Sequence, residues 1–214
     1  MTRVKEIEIA FLDAYEEDIR FEAKRHLQSL SPDLLYHNET HTMEYAYPEA
    51  KRLAKMEMFD DDEILIIVLI ALYHDTGFTD QYIANEELGA KKAKDYAAHS
   101  NNQTLQDAAQ IIFEAILNTN MKSAPKNKYE EIIRDADLSI LGKPEFLEWN
   151  QRLRLEIMSY PESGMYQLAL DEKDWIKSQL IFLQNHQWFS ESARILYEEQ
   201  KMRNIQQLKN LLNA

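Results

Sequence analysis

The chain has 214 residues, a formal net charge of −13, 45% hydrophobic and 29% charged residues, and no cysteine. This is the composition of a folded globular protein, and it excludes disulfides, thiolate metal sites and a cysteine nucleophile. The acidic balance repels nucleic-acid backbones, and the basic stretches at 91–94 and 122–128 are too short and diluted to offset it, so no nucleic-acid polymer is expected as a partner.

Four glycines and five prolines leave little material for the tight turns of an all-β chain. A single all-α domain over residues 1–214 is expected. Residues 1–20 alternate charged and apolar side chains without a signal-peptide core. The longest apolar run, 64–73, has ten residues, short of the roughly 20 that a membrane span needs. A soluble, cytoplasmic protein with no membrane partner is therefore expected.

In chain order, residues 6–27 have helical composition and end before Ser31-Pro32-Asp33. Residues 41–59 read as helical, with Pro48 either kinking one helix or opening a second. Asp60, Asp61 and Asp62 place carboxylates where a helix N-terminus favours them, ahead of a run at 63–74 that is apolar on all sides. With no partner strands evident, that run reads as a buried central helix. Asn85 opens a helix to about His99. Thr104 is predicted to cap the next, whose Leu105, Ala108, Ala109, Ile112, Phe113, Ile116 and Leu117 share one face. A loop through Ser123-Ala124-Pro125 leads to a helix ending between Asp137 and Leu141, punctuated by Gly142 and Pro144. Amphipathic segments at 145–160 and 165–185 follow, then a last helix from Ser190, giving eight or nine helices and no strand. The C-terminal segments could complete the core or form a homodimer interface.

Four pieces carry candidate chemistry: Tyr36-His37-Asn38-Glu39-Thr40-His41, His74-Asp75, Asn85-Glu86-Glu87 and Asp135-Ala136-Asp137-Leu138. The His-Asp pair closes the most apolar helix of the chain. Ionisable groups buried there cost several kcal/mol (order of magnitude) unless partnered, and a divalent cation would compensate directly. At a helix C-terminus, adjacent side chains can converge on one ion, so His74-Asp75 makes a half-site that needs one more histidine and one more carboxylate. Mixed imidazole and carboxylate donors suit Mn, Fe, Co, Ni, Zn or Mg.

The order His41, His74-Asp75, Asp137 resembles the HD superfamily of metal-dependent phosphohydrolases, over residues 36–142. Tyr36-His37-Asn38 followed by His41 is similar to a motif of the cyclic-nucleotide phosphodiesterases, a branch of that superfamily. The stretch from Asp135 to Gly142 resembles a bacterial subgroup of predicted HD phosphohydrolases. The resemblance implies an HD-domain-like helical bundle and metal ligation by His41, His74, Asp75 and Asp137. Asp137 is preferred to Asp135 because the family ligand follows Ala and precedes Leu. It further implies that His37 protonates the leaving oxygen while water activated by the metal and oriented by Asp75 attacks phosphorus. Residues 119–125 lack the histidines that the subgroup could use for a second metal; a second ion would rely on Asp75 and waters.

Elementary chemistry agrees with these roles. Metal lowers the pKa of water and screens phosphate charge, and histidine is the natural general acid near neutral pH. If their stretch is helical, His37 and His41 share a face. Glu86 or Glu87 could orient a histidine, and Lys122 could touch a phosphate. His26 and His186 read as surface or packing residues, His99 as a helix-end residue that favours the C-terminal dipole, and Trp149, Trp175 and Trp188 as core. The expected function is hydrolysis of a phosphate ester in a nucleotide or related small molecule. The alternatives are a catalytically silent metal-binding or ligand-sensing module, and oxygen chemistry at a di-iron site.

Overall fold

The computed structural model describes residues 3–213, with side chains from residue 12; residues 1, 2 and 214, the ends of the expected domain and leader reading, lie outside it. Among the described residues it contains ten α-helices and no strand: α1 Arg3–Leu27, α2 Tyr47–Met56, α3 Asp61–Tyr73, α4 Asn85–His99, α5 Gln103–Asn118, α6 Lys128–Asp137, α7 Phe146–Ser159, α8 Tyr166–Leu170, α9 Glu172–Asn185 and α10 Glu191–Asn213. A π-helical stretch, His41–Ala46, precedes α2, and 3-10 turns at Thr76–Thr79 and Leu138–Gly142 follow α3 and α6.

Helix α3 is the axis of the fold. Asp60 caps it in a reciprocal box: its Oδ1 accepts from Glu63 N at 2.9 Å, and Glu63 Oε2 accepts from Asp60 N at 3.0 Å. Every residue of α3 from Leu65 to Tyr73 is buried. A helix that is apolar all round needs neighbours all round, and α1, α2, α4, α5 and α6 supply them. Burial of each large aliphatic side chain contributes roughly 1.5–3 kcal/mol, so the helix that ends in His74-Asp75 is held from every side.

Pro48 sits in the first turn of α2, settling the Pro48 alternatives in favour of a second helix. The cap of α5 is Asn102, whose side chain accepts from Leu105 N at 3.1 Å; Thr104 lies inside the first turn instead. The expected segment at 165–185 is two helices, because Asp171 breaks off α8 and caps α9 by accepting from Asp174 N at 2.9 Å. That break raises the count from the expected eight or nine to ten.

The C-terminal helices complete the core. Phe146, Trp149, Leu183, Trp188, Tyr197 and Leu208 belong to the same buried cluster as α3. Asn204 of α10 donates to Leu141 O and Lys143 O at 2.8 and 2.9 Å, tying the C-terminal helix to the turn after Asp137. Among the described residues no helix is long and apolar enough to cross a membrane.

Candidate metal centre

Two glycines shape the His74-Asp75 corner. A Cβ on Gly77 would stand 1.8 Å from Asn85 O, and one on Gly89 would stand 2.8 Å from Tyr73 O and 2.9 Å from His74 O. The start of α4 therefore packs against the end of α3 at backbone contact, and Asp75 turns back beside His74. We expect Gly77→Ala to open this corner, lowering the thermal midpoint by several degrees or preventing folding, since overpacking of this kind costs about 1–3 kcal/mol or more. An unchanged melting curve would show that the contact is not rigid.

His41 opens the π-helical stretch, where its backbone N–H donates to Asn38 Oδ1 at 3.1 Å. His37 precedes that stretch, so the two histidines do not share a regular helical face. Their ring centroids are nonetheless 6.2 Å apart.

The structure brings His41, His74 and Asp137 together, with one potential ligand atom from each lying within 4.8 Å of the others. Asp137 Oδ1 is 3.0 Å from His41 Nε2 and 3.5 Å from His74 Nε2. Asp75 Oδ2 lies 3.1 Å from His74 Nε2 and 3.6 Å from His41 Nε2. Two donors about 2.1 Å from a shared ion at tetrahedral or octahedral angles stand ~3.0–3.4 Å apart, so these spacings fit a divalent metal.

Orphaned atoms support the fit. His74 Nε2 and Asp75 Oδ2 are buried without a hydrogen-bond partner among the described residues, although they are close neighbours. They stand 3.1 Å apart without a hydrogen bond between them. His74 Nδ1 is 2.8 Å from Ala71 O, so it carries the proton and leaves Nε2 as the free donor atom for a metal. Burial works against protonation of His74, but the Asp75 and Asp137 carboxylates outweigh it and raise its pKa well above the usual histidine range. Burial likewise opposes ionisation of Asp137, yet its contacts with His41 and His74 hold the carboxyl well below the usual range. The two carboxylates thus attract positive charge into the centre, supplied by protons or by a metal ion. His41, His74 and Asp137 form a buried group able to hold such an ion.

Asp135 points elsewhere. Two residues along a helix rotate a side chain by about 200°, and Asp135 instead accepts from Phe189 N, Ser190 N and Ser190 Oγ at 2.7–3.2 Å, fixing the start of α10. Asp135→Ala should cost about 2–4 kcal/mol by leaving those donors unpaired, while metal per folded chain stays unchanged. Denaturant titration with metal analysis separates the two neighbouring aspartates.

Sequence reasoning missed Glu156 of α7. It is fully buried. Its Oε2 accepts from Tyr36 N at 2.7 Å and His37 N at 3.0 Å; its Oε1 stands 2.5 Å from His37 Nδ1 and accepts from Tyr82 Oη at 3.2 Å. Burial disfavours the His37 cation, but the Glu156 carboxylate outweighs it and pushes the His37 pKa up to about 9. The same ion pair holds Glu156 below its usual value against the opposing effect of burial. A sequence signal existed: Glu156 falls on the apolar phase of α7, seven residues after Trp149.

The other expected residues are placed differently. Glu86 lines the cavity beside the centre, but the groups orienting histidines are Ala71 O for His74 and Glu156 for His37. Glu87 is exposed and paired with Lys91 at 2.6 Å. Lys122 is exposed on its loop, while its neighbours Asn120 and Met121 face the cavity. His99 is exposed at the end of α4 and Trp175 is buried, as read from sequence. Trp149 is also buried, but against the site: its ring lies 6.0 Å from His41.

The cavity has a volume of about 330 Å³ and is lined by Asp75, Asp137 and His37, together with residues of α7 and α9. Comparison with known families, curated proteins and solved structures yields no match.

Proposed function

We propose that this protein is a metal-dependent phosphohydrolase of the HD type, with His41, His74, Asp75 and Asp137 as metal ligands. The observation that carries the reading is the convergence of His41, His74 and Asp137, with Asp75 Oδ2 3.1 Å from His74 Nε2 and those last two atoms unpartnered, beside a small-molecule cavity lined by Asp75, Asp137 and His37. When bound, a divalent ion would supply water activation and screening of phosphate charge. Asp75 orients the attacking water. His37, cationic at neutral pH and 23% exposed, donates its proton to the leaving oxygen. Phe78 stacks on the His37 imidazole at 4.5 Å and Glu156 anchors Nδ1, which leaves Nε2 as the nitrogen free to deliver the proton.

The test is metal analysis of the purified protein combined with phosphate release from an aryl phosphate and a nucleotide panel. We expect about one divalent ion per chain, and turnover that is abolished by chelation and restored by adding metal back. Failure to retain Mn, Fe, Co, Ni, Zn or Mg would sink the assignment. Metal without turnover on any ester would favour a ligand-sensing module.

A further inference from the structure

We propose that the cavity takes an ester bearing a single phosphoryl group on a neutral, largely apolar remainder with a hydrogen-bonding edge, and that Asn150 and Gln179 recognise that edge. The phosphoryl half of this inference rests on the hydrolase reading; the remainder is read from the cavity alone.

Charge sets the first limit. Among the described residues no lysine or arginine lines the cavity, which instead carries Asp75, Glu86 and Asp137. A polyphosphate chain calls for several cationic donors. Four cations of neighbouring elements are engaged elsewhere: Lys92 with Thr76 O and Asp80, Arg134 with Ser123 O, Lys143 with Glu49, Arg154 with Ala169 O. Lys122, next to the lining residues Asn120 and Met121, is exposed and is not itself part of the lining. His37 and a metal suffice for one phosphoryl group; further phosphates would meet no lysine or arginine of the lining, and the Glu86 carboxylate is among its residues.

Surface chemistry sets the second. Leu138, Ile140, Leu141, Phe146, Leu153 and Phe182 give the cavity an apolar wall. At about 330 Å³ it lies at the lower end of the ~300–1,000 Å³ usual for small-molecule sites.

Asn150 and Gln179, on α7 and α9, interrupt that wall; Asn85 and Asn120 also line the cavity, and Asn85 Oδ1 is likewise buried without a hydrogen-bond partner among the described residues. Asn150 on α7 is 8% exposed and its buried Oδ1 has no hydrogen-bond partner among the described residues; Gln179 on α9 is 5% exposed. A buried amide oxygen without a partner is costly in a folded protein and calls for an explanation. Here both amides border the cavity. Asn150 is also held in register with the metal centre, because the adjacent Trp149 packs on Tyr36 and His41.

Calorimetric binding to the metal-loaded protein tests this without turnover. The probes are methylphosphonate, benzylphosphonate, a nucleoside 5′-phosphonate and the corresponding bisphosphonate. The expected order is nucleoside phosphonate tightest, then benzylphosphonate, then methylphosphonate, with the bisphosphonate weaker than the nucleoside phosphonate by about tenfold or more. Asn150→Leu and Gln179→Leu should each weaken the nucleoside phosphonate about five- to tenfold and leave methylphosphonate unchanged. Asn150→Leu should melt no lower than wild type, because it removes an unpartnered polar atom. Tightest binding by the bisphosphonate, unchanged nucleoside-phosphonate binding in both variants, or equal weakening of every probe would overturn the proposal. If metal fails to tighten methylphosphonate, the hydrolase reading falls instead. The neutral nucleoside, titrated into metal-free wild type and Asn150→Leu, then decides the recognition claim: loss in the variant supports it, and no change overturns it.

Discussion

Replacing His74 by alanine is expected to reduce bound metal from about one ion per chain to below a tenth, and to abolish phosphate release. The magnitude follows from the centre's construction. Loss of a group that merely orients a metal ligand typically costs 10–100-fold in affinity, so loss of a ligand should cost at least ~100-fold. Metal that binds the folded state also raises its stability by mass action. Added metal should therefore raise the melting midpoint of the wild type and leave that of His74→Ala unmoved.

A fold defect has to be separated from a binding defect here. Without His74, His41 alone of the two histidines is left beside Asp75 and Asp137 in a buried space, and a buried charge left without its partner destabilises by about 3–5 kcal/mol. Asp137→Asn provides the control. It removes one carboxylate, keeps an oxygen 3.0 Å from His41 Nε2 to accept a hydrogen bond, and lowers the negative charge of the metal-free centre. It should lose metal while retaining a cooperative melt. If both variants hold metal at wild-type level, the donors do not form the site.

Much of this centre was legible from local sequence. The acidic run before an all-apolar helix identified α3, and the pair at its end marked the corner where two ionisable side chains needed a partner. The choice of Asp137 over Asp135 rested on motif likeness, and the geometry supplies its reason: a rotation of about 200° sends one carboxylate to the histidines and the other to α10. What escaped is non-local. Glu156 reaches His37 across 119 positions, and no spacing rule connects them. The cavity wall is assembled from the turn after α6 and from α7 and α9, whose apolar residues cannot be told from core residues until the helices are docked. The Asp171 break was readable as a helix cap but was masked by continuous amphipathic patterning on both sides.

The Glu156–His37 pair gives the second large expected effect, because it separates proton donation from metal binding. His37→Ala should retain metal and lose about 10²–10⁴-fold in turnover of an alkyl phosphate. The loss should be much smaller for an aryl phosphate whose leaving group needs no proton. Glu156→Gln probes the same residue through charge. The amide oxygen can still accept from Tyr36 N and His37 N, but its NH2 would face His37 Nδ1 and requires that nitrogen to accept, which disfavours the imidazolium. Burial then acts on His37 opposed only by the Asp75 and Asp137 carboxylates, so its pKa should fall from about 9 towards the ordinary 6.5 or below. Because the donor must be protonated, the alkaline limb of the activity profile should move down with it, and the variant's activity should fall away through neutral pH where the wild type's persists. The stability sign agrees. The raised His37 pKa contributes stability that is full below 6.5 and lost as pH rises through about 9; the lowered Glu156 pKa contributes stability present above 4.5 and lost as pH falls through its folded value. The melting difference between wild type and Glu156→Gln should therefore peak between those limits and close on both sides. An alkaline limb that stays in place in Glu156→Gln would mean that His37 is not the group whose proton the reaction uses.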